Sequence, residues 1–177
     1  MSEDSAPPTT DRGASGGEPR AAEKPRQRVF LVVVDESREM RNALRFACRR
    51  AMHTGGRVAL LCVIEPGEFQ HWLGVGRVLE EEARLGAERR LQTLAAEVFR
   101  ETGTMPTLYI REGDRAEEVL KLLEEEPEIS LLVLATAPER GNPGPIVSHL
   151  MKNLDRLRVP VTLVPGHLSD EEIDALT

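Results

Sequence analysis

Six consecutive apolar residues, Val29-Phe30-Leu31-Val32-Val33-Val34, constrain this chain more than any other feature. A run with no polar alternate position has no face to give to water. Its valines favour extended backbone, so it reads as a strand covered on both sides. Further strand-like runs follow at 57–64, 107–111, 129–135 and 161–164. The stretches between them repeat apolar residues every three or four positions, as one face of a helix does. The first stripe is Met40, Ala43, Leu44, Ala47, Cys48 and Ala51, stopped by Gly55-Gly56. Leu79, Ala83, Ala87, Leu91, Leu94 and Val98 form the second, and Ala116, Val119, Leu120 and Leu123 the third. The fourth is Ile146, Val147, Leu150, Met151 and Leu154, and Pro160 marks its exit. Asp114 with Glu117 has the spacing of a capping box, and Ser169-Asp170-Glu171-Glu172 opens a short terminal helix. Strict alternation of strand and helix implies an α/β fold: a doubly wound, five-stranded parallel sheet with helices on both faces. Ligands of such sheets sit at the carboxyl ends of the strands, near the switch point. Attention therefore falls on Asp35, the stretch after Val63, and the loop from Ala135 to Ser148.

Composition sets the boundaries. Hydrophobic residues make up 40% of the 177, enough for a core, and with only 3% aromatic that core must be aliphatic. Residues 1–28 hold four Pro, three Gly and no aromatic, so they cannot bury enough surface to offset their ordering entropy. They are expected to form a disordered tail, ahead of a domain at 29–165 and an extension with a short helix at 166–177. The tail carries five acids and five bases, so the body bears the whole net charge of −7. An acidic body repels phosphate backbones, which argues against nucleic acid as a partner. Cys48 and Cys62 lie within apolar segments with neither metal nor disulfide spacing, which suits a reducing compartment. No apolar run approaches the ~20 residues of a membrane span, and Met1-Ser2-Glu3-Asp4 starts no signal peptide. A cytoplasmic protein without a membrane partner is the expectation.

Several doubly wound families fail on their own residues. A phosphoacceptor receiver needs an Asp after strand three and a Lys after strand five. The chain has Arg111-Glu112-Gly113 and Pro165-Gly166 there. No Gly-Lys-Ser or Gly-Lys-Thr follows a strand, which removes the Walker phosphate cradle. Gly74-Val75-Gly76 lacks the third glycine of a dinucleotide fingerprint and does not follow the first strand.

Four segments instead form an ordered set: Val32-Val33-Val34-Asp35-Glu36-Ser37, Leu61-Cys62-Val63-Ile64-Glu65-Pro66, Gly113-Asp114 with Glu117-Glu118, and Val159-Pro160-Val161-Thr162-Leu163-Val164. Across residues 29 to 165 this set resembles the universal stress protein family. The resemblance implies a homodimer of flavodoxin-like or adenine-nucleotide-alpha-hydrolase-like subunits, with ATP bound at the strand ends in one branch. It further implies a nucleoside contact at the position of Asp35 and an adenine contact from backbone at Val63. The family's phosphate motif is Gly, two residues, Gly, nine residues, then Gly with Ser or Thr. Here the chain departs, with Ala135-Thr136-Ala137-Pro138 at the first glycines and Val147 before Ser148. Gly141 and Gly144 supply a Gly pair nearer Ser148. Backbone must approach phosphate without a Cβ, and each proline removes an N–H, so the changes argue against a triphosphate grip. Pro145 suits the first turn of the fourth helix, leaving Ile146, Val147 and Ser148 to offer N–H groups to an anion.

Candidate nucleotide-binding residues are thus Asp35, Val63, Gly141, Gly144 and Ser148. Asp35 also suits a helix cap, or a turn just before Ser37 takes that task. His149 reads as a solvated surface residue, and Glu80-Glu81-Glu82 and Glu124-Glu125-Glu126 as solvated helix faces rather than cation sites. No nucleophile, base and orienting group can be assembled, so no enzyme is expected and no metal. The leading reading is a homodimeric regulatory or binding protein of the stress response whose phosphate grip is lost or changed. ATP or AMP is the candidate ligand of the alternative, and a ligand-free module recruiting a protein partner through the acidic helices and tail is the third. The loop around Phe69, His71 and Trp72 is expected to cover the strand ends. Strand five is the expected dimer edge, unless the terminal helix covers it.

Overall fold

The computed structural model describes residues 27–66, 76–137 and 143–177. The expected tail up to residue 26, the Phe69–Trp72 loop and Gly141 lie outside the described residues. Five strands, β1 (Val29–Val34), β2 (Arg57–Ile64), β3 (Thr107–Glu112), β4 (Ile129–Thr136) and β5 (Val161–Pro165), alternate with α1 (Met40–Thr54), α2 (Gly76–Thr102), α3 (Arg115–Glu125) and α4 (Pro145–Lys152). A 3-10 turn at Leu154–Arg156 follows α4, and α5 (Asp170–Ala175) ends the chain. The sheet runs in the order β3-β2-β1-β4-β5, and every neighbouring pair is parallel.

β1 is central, with all six residues buried. Its alternate side chains serve different cores. Phe30, Val32 and Val34 pack with Leu44, Leu91 and Ile173 from α1, α2 and α5. Val29, Leu31 and Val33 pack with Val119 and Leu120 of α3 and Ile146 and Leu150 of α4. Two faces and two cores are the reason that no position in the run is polar.

The helix ends follow from local chemistry. Ser37 Oγ accepts the Met40 N–H at 3.2 Å, and α1 stops at Gly55, whose φ of +65° suits a residue without Cβ. Asp114 caps α3 by accepting the Glu117 N–H at 3.0 Å. The expected box at this end is only half made, because the Glu117 carboxylate turns away to His149 and Arg156. A full box forms at Ser169 and Glu172. α2 begins at Gly76, but its stripe is buried only from Ala87 onward, while Leu79 and Ala83 stay half-exposed.

α5 packs on α1 rather than along β5. Ile173 is fully buried, and the Asp174 carboxylate accepts two hydrogen bonds each from Arg45 and Arg49, at 2.7–2.9 Å. Leu163 on edge strand β5 remains 44% exposed. No helix among the described residues is long and apolar enough to cross a membrane.

Candidate functional site

The switch point lies between β1 and β4. β1 leads into α1 on one face of the sheet and β4 toward α4 on the other, so their carboxyl ends part and leave a cleft of about 190 Å³. Asp35, Ser37 and Glu39 line it from the start of α1, Ala135 and Ala137 from the end of β4, and Gly144 to Val147 from the start of α4.

Asp35 leaves β1 half-buried. Its Oδ1 accepts both the Ser37 N–H at 2.9 Å and the Ser37 hydroxyl at 2.5 Å. Ser37 in turn caps α1, so Asp35 is the turn residue before the cap. Its Oδ2 has no hydrogen-bond partner among the described residues. A carboxylate oxygen at a cleft mouth is an acceptor for ligand hydroxyls.

Gly144, with φ of +93°, turns the chain into α4. Pro145 has no N–H to offer, and the Ser148 N–H donates to the Gly144 carbonyl at 3.0 Å. That leaves Ile146 and Val147 as the first-turn amides without an intrahelical acceptor. Ser148 is half-buried and does not line the cleft, whereas both residues before it do. Close backbone approach is seen at Gly166, which packs against Glu39 and the Thr136 carbonyl. There a Cβ would stand 2.3 Å from Glu39 Cγ and 2.7 Å from the Thr136 carbonyl oxygen.

Val63 lies one residue beyond the β1 ladder, which ends with Val34 opposite Cys62, and its side chain is buried toward α3. The structure thus brings Asp35 and Gly144 to one cleft, which neither Val63 nor Ser148 lines.

A second, more polar chamber of about 340 Å³ opens on the other side of Asp35. Glu36, Ser37, Arg90 and Arg115 complete its lining. Arg90 pairs with Glu36, and Arg115 Nη2 with Glu65 at 2.9 Å. Sequence reasoning missed both arginines. Arg90 looks like any polar-face residue of a long helix. The one available signal for Arg115 is a cation as the first residue of a helix that begins at a strand's carboxyl end.

Behind the cleft, Glu117 ties α3 to α4. It meets Arg156 at 2.9 Å and His149 at 2.8 Å, and these partners, Arg156 foremost, hold its carboxyl below the ordinary range. His149 is therefore a tether, not the solvated residue expected. The thiols are poor nucleophiles, since burial pushes Cys48 up to about 12 and raises Cys62 as well. Among the described residues no three His, Cys, Asp or Glu are grouped to hold a metal ion.

A search of curated proteins finds no match to this chain. Solved structures do match. UspA from Lactobacillus plantarum superposes with a TM-score of 0.66 at 21% identity, covering 80% of this chain and 99% of that one. A universal stress protein in complex with cAMP gives 0.55 at 13% identity, over 79% of this chain and 98% of the other. The universal stress protein from Archaeoglobus fulgidus in complex with dAMP gives 0.52 at 15%, over 78% and 97%. At these identities the likeness is one of fold. The sequence profile of the universal stress protein family, however, matches residues 27–165, the whole βα body with its cleft, and the chain belongs to that family.

Proposed function

We propose that this chain is a non-catalytic, cytoplasmic binding protein of the stress response, working as a homodimer, whose cleft takes an adenine mononucleotide chiefly by its adenosine half. The observation that carries this reading is the Asp35 carboxylate, one oxygen fixed in the turn and the other without a hydrogen-bond partner among the described residues, at the mouth of the β1–β4 cleft. It suits the hydroxyls of a ribose. The cleft wall supports a small anion rather than a triphosphate. Ala135 and Pro138 occupy the positions of the family motif's first two glycines, and two amides, of Ile146 and Val147, remain at the start of α4. Two proteins of this fold are in complex with dAMP and cAMP, ligands with a single phosphate.

Calorimetry tests the reading. AMP and ATP should bind with similar affinity, and Asp35→Ala should weaken both equally. ATP binding at least tenfold tighter than AMP, a difference of about 1.4 kcal/mol, would falsify it. It would mean that the loop through Gly141 and Gly144 to Ser148 grips the outer phosphates.

A further inference from the structure

We propose that Arg115 holds the phosphate of the bound mononucleotide, in place of the glycine cradle that the chain lacks. The inference rests on the mononucleotide reading above and adds a specificity-determining residue to it.

Arg115 is poorly placed for stability alone. It is the first residue of α3, directly after the cap Asp114. A helix start carries partial positive charge and favours acids, which Glu117 and Glu118 supply, so a cation there is unfavourable. Its Nε is also buried without a hydrogen-bond partner among the described residues. One ion pair, Nη2 to Glu65 at 2.9 Å, holds the guanidinium where it is. Two local rules are broken in one side chain, and such breaks gather at functional sites.

Its surroundings say what it serves. With Asp35 and Ser37, Arg115 faces both chambers, and it is the one cation lining the β1–β4 cleft among the described residues. The other charged groups of that cleft, Asp35 and Glu39, come from the α1 side. The cleft therefore has carboxylates suited to hydroxyls on one wall and a fixed positive charge on another. A guanidinium directs several N–H groups at phosphate oxygens. Nη1 makes no hydrogen bond among the described residues and is available for that contact. One guanidinium serves one phosphate. The first phosphate should therefore add affinity, and the second and third should add little.

The test compares adenosine, AMP and ATP by calorimetry on the full chain and on Arg115→Gln, Arg115→Lys and Glu65→Gln. The wild type should bind AMP about tenfold or more tightly than adenosine, the size of a charge-assisted hydrogen bond. ATP should stay close to AMP. Arg115→Gln should bring AMP down to the level of adenosine and leave adenosine unchanged, while Arg115→Lys keeps part of the gain. Glu65→Gln frees the guanidinium and should strengthen AMP alone. If Arg115→Gln does not fold, the lysine and Glu65 variants decide. Equal weakening of adenosine and AMP in Arg115→Gln would assign the residue to the nucleoside and overturn the inference, as would no change in either. Wild type binding adenosine as tightly as AMP overturns it too, yet leaves the mononucleotide reading standing. Wild type binding neither one removes both.

Discussion

One oxygen of Asp35 closes the turn into α1 while the other has no hydrogen-bond partner among the described residues, so a single side chain carries a structural task and a proposed ligand contact. The two separate on substitution. Asp35→Asn keeps an Oδ1 acceptor for Ser37 and should hold stability within about 0.5 kcal/mol of wild type. Asp35→Ala removes the turn and should cost about 0.5–2 kcal/mol, the range for a lost cap. Urea denaturation of both variants measures this. The Asp35 turn was legible in the sequence because its partners are two residues away. Arg115 was not, because nothing local connects it with Asp35: only the sheet order sets the start of α3 beside the end of β1. The Glu117–His149 bond was hidden for the same reason, and capping-box spacing even suggested another partner for Glu117.

Elements were easier to read than contacts. An unbroken apolar run leaves a strand one arrangement, helices on both its faces, and β1 follows it residue for residue. Boundaries drifted where backbone pairing continues past the apolar residues, as at Glu112, Thr136 and Pro165. The seat of α5 could not be read at all, since its short stripe fits a sheet edge as well as a helix. Its charges decide the matter: Asp174 joins Arg45 and Arg49 and binds α5 to α1. Those arginines, Arg45 foremost, lower the Asp174 carboxyl from the ordinary 3.8. A carboxyl lowered by folding contributes stability that is complete above its unfolded value and lost as pH falls through the folded one. The melting temperature should therefore drop as pH is lowered below about 4. In Asp174→Asn the acid-side drop should be shallower and the neutral melting temperature lower, as scanning calorimetry across pH would record.

At the scale of the molecule, the two edges of the sheet differ. β3 ends in Arg111 and Glu112, and Arg111 pairs with Glu125, charges that discourage further strand addition. β5 offers only Val161, Thr162, Leu163 and Val164 before Pro165, and α5 lies elsewhere. Antiparallel pairing of β5 with a second copy is the expected cover, and Leu163→Lys should convert a dimer into a folded monomer at micromolar concentration. Sedimentation of the parent as a monomer would refute the pairing. The central place of β1 has a further consequence, which concerns synthesis. The Val29 N–H reaches Ser130 Oγ, 101 residues further along the chain. At about 5–20 residues per second, the ribosome needs roughly 5–20 s to deliver β4 after β1 has emerged. For that interval the most apolar strand of the protein has one flank open, a ribbon ready to pair with any other nascent chain. Slowed translation between β2 and β4 should therefore favour aggregation, while slowing after β4 should not.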